Sequence, residues 1–198
     1  MGGTCNKAMI YNCEIAFYGS RSLVTVWSNV VVRNVTYIMR VHEITTDKLL
    51  KNVDSDNWEF YGWSSECTAK VFRQHEFDCH VQDKDGNAIN GVSVVGEYTS
   101  PHGIAFSVTT DVNGNIATQT VDRSWYEQAT GNTENLKTPL KVTYKKAGYQ
   151  TTVKYYPLDQ KTVDRVVMHK AVAVFNNFGS PVVNLKRANP ENKNVMVL

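Results

Sequence analysis

The sequence predicts an all-β protein, and three observations lead to this prediction. Short runs rich in Val, Thr and Tyr alternate apolar and polar residues along most of the chain. Gly, Asn and Asp punctuate these runs where turns are expected. Helical periodicity is almost absent, and only residues 44–53 fit one short helical turn. The length of 198 residues predicts one domain or two small ones, with enough apolar residues to bury a core.

Residues 1–44 are predicted to form a β-rich unit that resembles the rungs of a solenoid. "MIYNCEI" (9–15) and "VVRNVTY" (31–37) share a pattern that places Asn12 and Asn34 22 residues apart. This spacing is typical of a parallel β-helix, in which stacked Asn side chains hydrogen-bond along a turn. Since one rung cannot bury its own face, the chain either begins near the end of a solenoid or completes its rungs against another subunit.

Residues 45–71 are interpreted as an aromatic linker between two units. Trp58, Phe60, Tyr61 and Trp63 lie within six positions of a polar stretch. Such a cluster indicates either the core of a domain junction or a ligand platform, and the first is preferred.

Residues 72–170 are predicted to form a seven-stranded sandwich, because seven alternating runs follow one another at the spacing of that architecture. These runs lie near 72–82, 92–94, 104–108, 116–121, 140–144, 151–155 and 163–168.

The stretch "HVQDKDGNAINGVSV" (80–94) raises the choice between a calcium loop and a simple chain reversal. An EF-hand loop needs a Glu at its twelfth position, and with Asp83 as the first position the twelfth is Val94. Gly and Asn tolerate the positive φ of a tight turn, and Asp side chains cap such turns. We therefore predict no metal site here, with a calcium ion shared between loops as the alternative. The predicted turn-forming residues are Asp83, Asp85, Gly86, Asp111, Asn113 and Gly114.

Three segments of this region resemble the carboxypeptidase regulatory-like family, a transthyretin-like (prealbumin-like) sandwich of the Ig-like kind. They are "FDCHVQDKDGNAINGVSV", "VTTDVNGNIATQTV" and "TPLKVTYKKAGYQTTV". The family pattern of D-x-x-G, I-x-G-V/A-x-V, T-D-x-x-G and K-x-G-Y is matched by Asp83, Gly86, Ile89, Gly91, Val92, Val94, Thr110, Asp111, Gly114, Lys146, Gly148 and Tyr149. The match covers about 75–170 and departs from the family in an insert at 122–138. The resemblance implies a non-catalytic accessory or stalk module, found beside peptidases, on adhesins and in virion appendages.

The sequence contains none of the common catalytic or nucleotide-binding patterns, so no catalytic residue and no cofactor is predicted. The five histidines are scattered, and the four cysteines lack zinc-ligand spacing. The cysteines are interpreted as buried free thiols, or as a disulfide such as Cys67–Cys79 or Cys5–Cys13.

The candidate ligand-binding residues are Trp125 and Tyr126, in the insert, and His102, in "TSPHG" (99–103). Loops as long as the insert are often functional, and aromatic side chains on loops stack on sugars or fill a partner's pocket. The alternative is that Trp125 folds back over the edge of the sandwich.

The last segment, 171–198, is a C-terminal extension with two short apolar runs and an apolar end. Unanchored termini are usually disordered, but an apolar end after a polar spacer could pair as a strand with a neighbouring subunit.

These observations predict a non-enzymatic structural component of a multi-subunit assembly, such as a phage tail, spike or capsid appendage, at an extracellular or virion surface. Its partners would be copies of itself and other structural subunits. The net charge of +2, without a basic stripe, argues against nucleic acid as a partner. The absence of a long apolar run argues against membrane insertion. The alternatives are a carbohydrate-binding cell-surface adhesion module, with surface glycans as ligands, or an accessory domain of a larger enzyme.

Overall fold

The computed structural model describes residues 3–19, 24–171, 174–175 and 181–182. Across these residues the regular elements are strands, with no helix among them, so the all-β prediction is confirmed. The single helical turn expected at 44–53 is wrong, because Lys48–Lys51 is a strand that pairs with strands on both sides.

The first nine strands form three successive rungs of three strands each. The first rung contains β1 (Gly3–Asn6), β2 (Met9–Tyr11) and β3 (Ile15–Tyr18), the second β4 (Val24–Ser28), β5 (Val31–Arg33) and β6 (Tyr37–Arg40), and the third β7 (Lys48–Lys51), β8 (Asp54–Ser55) and β9 (Phe60–Tyr61). Equivalent strands pair in parallel, as Met9 does with Val31 and Val31 with Asp54. The chain therefore has the stacked parallel rungs that the Asn12 and Asn34 spacing predicts.

The interpretation of 45–71 as a linker is corrected by the third rung, which lies inside it. Phe60 is buried in the interior of the stack, and Trp58 and Trp63 pack against the same cluster. Three of the four aromatic residues are therefore part of a rung interior, whereas Tyr61 is 47% exposed. The repeat is harder to find in the sequence because the spacing of equivalent residues, 22 between the first two rungs, changes to 23 at β8 and 21 at β9.

Asparagine side chains form two ladders along the turns of the rungs. The Nδ2 of Asn34 donates to the Oδ1 of Asn12 at 2.6 Å, which is the predicted stacking. A second ladder was not predicted: Asn29 donates to Asn6 at 2.9 Å, and Asn52 donates to Asn29 at 3.1 Å. Asn29 and Asn52 have φ of 54° and 49°, a region that Asn enters more cheaply than other residues with a side chain.

Replacing Asn29 by alanine is expected to lower the free energy of unfolding by about 2 to 3 kcal/mol. The change removes both ladder hydrogen bonds, worth roughly 1 kcal/mol each, and puts a Cβ-bearing residue without a compensating polar group at positive φ, for about 1 kcal/mol more. Denaturant unfolding followed by fluorescence would measure this loss.

Asn29→Gly is the matched control for this prediction, because it removes the same bonds and tolerates the same φ. Its free energy of unfolding should be about 1 kcal/mol higher than that of the alanine variant. Equal stabilities of the two variants would contradict the argument from φ, and wild-type stability in both would contradict the ladder.

The long strand β10 (Val71–Gln82) joins the stack of rungs to the second part of the chain. Residues 71–74 pair in parallel with β7 and so begin a fourth rung. Residues 71–77 pair with β13 (Gln119–Tyr126), and residues 77–82 with β17 (Thr162–Val167). One continuous strand thus belongs to both parts, which restricts their relative movement.

Seven strands in two sheets make up the second part. Besides β10, β13 and β17 they are β11 (Ser93–Thr99), β12 (His102–Thr109), β15 (Leu140–Lys145) and β16 (Thr152–Tyr156), and the two-residue β14 (Asn135–Leu136) extends β13. One sheet has the order β12-β11-β15-β16, and the other carries β10 between β13 and β17. The seven predicted strands are present, and β13 runs further than expected, to Tyr126.

The buried apolar residues form two clusters. One fills the rungs and lies within 17–71 together with Tyr126, and the other lies within 77–168. In the C-terminal extension, β18 (Val174–Phe175) pairs with β19 (Pro181–Val182). The remainder of the proposed inter-subunit strand lies outside the described residues.

Candidate functional site

Each strand of the first rung is the outermost described strand at one edge of its sheet. The orders β1-β4-β7-β10, β2-β5-β8 and β3-β6-β9 leave one side of β1, β2 and β3 without a partner among the described residues. Val31 N–H donates to the Ala8 carbonyl, and Asn12 N–H donates to the Arg33 carbonyl. Because these groups alternate along a parallel ladder, the N–H groups of Met9 and Tyr11 point away from the second rung.

This edge is uncharged in its strands and exposed on its side face. The strand sequences GTCN, MIY and IAFY contain neither a charged residue nor a proline, the usual protections of an edge strand. Met9 is 69% exposed, Tyr18 56% and Tyr11 46%. The first rung therefore presents backbone hydrogen-bonding groups and apolar side chains that an added strand would cover.

The insert at 122–138 covers the opposite end of the stack. Asn132 Oδ1 accepts hydrogen bonds from the Phe60 backbone N–H at 3.1 Å and from the Trp63 Nε1 at 3.3 Å. Its side chain thus takes the place that a further rung would occupy beside β9. The insert, predicted as a ligand loop, covers the β9 edge at this end of the rungs.

The prediction of Tyr126 as a ligand-binding residue is corrected by its burial. Tyr126 is 2% exposed, and its ring lies 4.5 Å from that of Phe60, centroid to centroid. Burial, followed by the nearby Glu134 charge, raises the pKa of its hydroxyl to about 12. The last residue of β13 points into the interior of the rungs because β13 continues into the insert and pairs with β10 there.

Trp125 is half-buried and surrounded by charged side chains. Its Nε1 donates to Glu127 Oε1 at 3.2 Å, and the Nζ of Lys70 lies 5.1 Å from the ring centroid. Lys137 approaches the same ring at 5.8 Å. Its role as a ligand-binding residue stays a prediction.

His102 is exposed beside a shallow cavity of about 320 Å³ on the outer face of the second sheet. A cross-strand row runs through this cavity in the order Ile104, Glu97, Lys141 and Tyr155. Lys141 Nζ pairs with Glu97 Oε2 at 2.9 Å, and Ile104 and Tyr155 remain exposed at the two ends of the row. Trp125 is not among the residues that line this cavity, so the predicted binding residues do not form one site.

The two Asp-Gly and Asn-Gly turns use the same hydrogen bonds. Asp83 Oδ1 accepts from the backbone N–H groups of Asp85 and Asn87, both at 2.9 Å. Asp111 Oδ1 does the same for residues 113 and 115, at 2.9 and 2.8 Å. Gly86 and Gly114 have φ of 85° and 76°. The described residues contain no group of three or more His, Cys, Asp or Glu side chains that could hold a metal ion.

The four cysteines are free thiols in the structure, so neither of the suggested disulfides forms. Cys67 is buried and donates to the Val41 carbonyl at 2.7 Å. Burial raises the pKa of the Cys79 thiol to about 12, which makes it a poor nucleophile.

A polar cluster between the two apolar cores was missed at the level of sequence. Arg73 continues the inward row of Trp27 and Leu50, and its guanidinium lies 3.7 Å from the Trp58 ring centroid. Its Nη1 donates to Glu134 Oε1 at 2.7 Å. Burial alone would raise the pKa of Glu134, but Ser124 and the two guanidinium groups of Arg73 and Arg123 lower it.

The signal for this cluster is present in "VFRQHEF" (71–77). Arg73 and His75 occupy the same alternating face as Val71 and Phe77, and all four are buried. Two polar residues on an inward face mark the place where one core ends and the next begins.

Comparison with known proteins gives little that bears on function. No protein-family model and no curated protein matches the chain. The 3-chlorocatechol 1,2-dioxygenase of Rhodococcus opacus 1CP matches 49% of this chain and 60% of its own, with 14% identity and a TM-score of 0.33. The Bacillus anthracis TIE protein matches 58% of this chain and 26% of its own, with 14% identity and a TM-score of 0.31. The chain thus spans 60% or less of either protein. Among the described residues, no helix is long and apolar enough to span a membrane.

The prediction that the protein is not an enzyme is corrected by this comparison, because one of the matching chains is a dioxygenase. That prediction came from the family resemblance and from the lack of catalytic motifs, and a fold does not determine activity. At this TM-score and identity the likeness assigns no activity to the chain, so its enzymatic status is open.

Proposed function

We propose that the protein is a structural component of a multi-subunit extracellular or virion assembly, of the phage tail, spike or capsid appendage type. The observation that supports this proposal is the edge of the first rung, β1, β2 and β3, which has no strand partner among the described residues. Its partners are copies of the same chain and other structural subunits that supply strands to this edge.

An open strand edge exposes a row of unpaired backbone hydrogen-bonding groups. Exposed strand edges pair readily with other chains, and proteins that function alone usually protect them with charges, prolines or covering segments. A solenoid likewise needs a cap at each end. Asn132 in the insert provides such a cap at β9, whereas the described residues provide none at the first rung. Within the described residues, one end of the stack is thus continued by β10 and covered beside β9, and the first rung is not, so the stack is suited to dock in one direction.

The second part of the chain is then directed away from the docking edge. We propose that residues 75–170 are a module of the carboxypeptidase regulatory-like, transthyretin-like kind, which the resemblance implies is an accessory or stalk unit. Its loops and the outer sheet face near His102 would be the surface presented to the surroundings.

Self-association is expected at micromolar concentration, and charging the first rung should weaken it. Met9→Lys combined with Tyr11→Lys puts two cations on β2, the protection that edge strands usually carry. Light scattering should find a homo-oligomer for the wild type and a dissociation constant raised about tenfold or more for this variant.

The matched control is Val112→Lys combined with Val163→Lys, two residues of the second part that are 75% and 73% exposed. This control should associate as the wild type does. A monomeric wild type, or equal weakening in both variants, would overturn the proposal. A monomer would instead favour the alternative in which these rungs continue a longer solenoid.

A further inference from the structure

The core of the rungs is incompletely covered at its first-rung end. Five residues of the first rung pack against the rung cluster but are only partly buried. The residues that lie 22 positions later, in the second rung, are buried, with exposed fractions between 0 and 7%. A layer of side chains added at this end would remove the five first-rung residues from water, which is favourable for apolar groups. The five pairs are Cys5 and Trp27, Ala8 and Val30, Ile10 and Val32, Cys13 and Val35, and Ala16 and Ile38.

The other end of the stack cannot receive the first rung of another copy. There β10 continues β7 in parallel and pairs with β13, and Asn132 occupies the edge of β9. Two of the three strand edges of the third rung are therefore taken, so copies cannot stack head to tail. The contact that remains for two copies is first rung to first rung, and a surface that binds itself in this way has two-fold symmetry.

The backbone of β2 fits such a two-fold contact. Ala8 and Asn12 form backbone hydrogen bonds to the second rung. Met9 and Tyr11 alternate with them, so their N–H and C=O groups point outward. An antiparallel pair centred on Ile10 sets Met9 opposite Tyr11 of the second copy, and each such pair exchanges two hydrogen bonds. The same axis sets β1 of one copy against β3 of the other, and these strands have equal lengths of four residues.

The exposed charges at the corners of the first rung are complementary under the same symmetry. Lys7 lies in the corner between β1 and β2, and Glu14 lies in the corner between β2 and β3. Both side chains are exposed, and neither forms an ion pair with the described residues of its own chain. The axis through β2 exchanges the two corners, so Lys7 of each copy approaches Glu14 of the other. The first rung is thus complementary in charge to a copy of itself.

On the basis of the proposed function, which makes the first rung a docking edge, we propose that its occupant is the first rung of a second copy and that the protein forms a closed two-fold dimer. Association stops at two chains, because each copy uses its first rung in the contact. The second parts of the two chains, beyond β10, then lie at opposite ends of the dimer.

Sedimentation velocity of the full chain tests this dimer. The wild type should reach the mass of two chains at micromolar concentration and should not grow further as the concentration rises. Lys7→Glu and Glu14→Lys each place two like-charge contacts in the dimer, and each should raise the dissociation constant about tenfold. An equimolar mixture of the two variants should restore a dimer of wild-type affinity, because each variant supplies the charge that the other lacks.

Lys145→Glu is the matched control, since it makes the same change of charge at an exposed residue of β15. It should dimerise as the wild type does. Wild-type assemblies that grow beyond two chains, or single variants that stay weakened when mixed, would overturn the dimer and leave the proposed docking edge standing. A monomeric wild type would remove both. The mass of the wild type tests the closure without any variant, so a variant that fails to fold leaves that result decisive.

Discussion

Replacing Gly114 by alanine is expected to lower the free energy of unfolding by about 4 kcal/mol, whereas Gly86→Ala should cost only about 1 kcal/mol. Both glycines have positive φ, so both variants carry the strain of a left-handed residue, roughly 1 kcal/mol. A Cβ at Gly114 would also lie less than 3.0 Å from the Val81 carbonyl oxygen, whereas nothing lies within 4 Å of one at Gly86. Relieving that overlap requires a backbone shift, worth about 3 kcal/mol more.

The reason for the difference is where each turn lies. Gly114 is buried, and its carbonyl accepts a hydrogen bond from Val81 N–H at 2.8 Å, so it is held against β10. Gly86 is exposed at the tip of its turn. Denaturant unfolding of the two variants under the same conditions measures the difference directly. Equal losses for Gly114→Ala and Gly86→Ala would mean that the contact with Val81 does not constrain the turn.

Replacing Glu134 by alanine is expected to cost about 3 to 4 kcal/mol, because it leaves the buried Arg73 guanidinium without its counter-charge. Glu134 Oε1 accepts from Arg73 at 2.7 Å, from Ser124 at 2.6 Å and from Arg123 at 3.2 Å. The side chains of Arg73 and Arg123 are only 10% and 15% exposed. Removing one partner of a buried ion pair leaves the other charge buried without a partner. This costs more free energy than the intact pair contributes to stability. Thermal or denaturant unfolding would measure the loss.

The matched control is Glu97→Ala, which removes the partner of Lys141 from an ion pair of similar length, 2.9 Å. Both side chains of that pair are more than a third exposed, so the expected loss is within about 0.5 kcal/mol. A loss as small as this at Glu134 would contradict the role assigned to the buried cluster.

The same cluster predicts a dependence on pH. The pKa of Glu134 is lowered in the folded state. Its contribution to the free energy of unfolding is therefore fully present above the pKa of the unfolded chain, near 4.5, and is lost as the pH falls through the pKa of the folded state. The stability difference between wild type and Glu134→Gln should therefore narrow below pH 4.5 and stay constant between pH 6 and 8. Unfolding curves across this range would measure it, and a difference that widens in acid would contradict the sign.

The strands and their turns could be predicted from short stretches of sequence. Phe77, Cys79 and Val81 alternate with polar residues, and the Asp-capped turns at 83–86 and 111–114 need only the local chemistry of Asp and Gly. The Asn12 and Asn34 repeat predicted the rungs for the same reason, because each rung repeats one backbone conformation at one spacing. The third rung escaped prediction because its spacing from the second rung is uneven, 23 residues at β8 and 21 at β9.

The candidate sites depended on contacts that no local pattern records. In the sequence, Tyr126 and its neighbour Trp125 are both aromatic residues of an insert and cannot be distinguished. In the structure, Tyr126 packs on Phe60 in the rung interior. From the sequence Asn132 is an ordinary loop residue, but its side chain accepts a hydrogen bond from the backbone N–H of Phe60, 72 residues away. Neither assignment follows from a segment considered by itself.

The sequence by itself determined that this protein is built of strands, where most of them lie and how the chain reverses between them. These properties follow from side-chain alternation and from the φ that Gly and Asn permit, which act within a few residues. Only the tertiary structure decided that one strand, β10, joins two cores and that Arg73 and His75 lie between those cores. It also decided that the first rung has no further strand partner within the described part of the chain. Those properties arise from contacts between distant segments, such as Arg73 with Glu134 across 61 residues. Neither the composition nor the spacing of a local segment predicts such a contact.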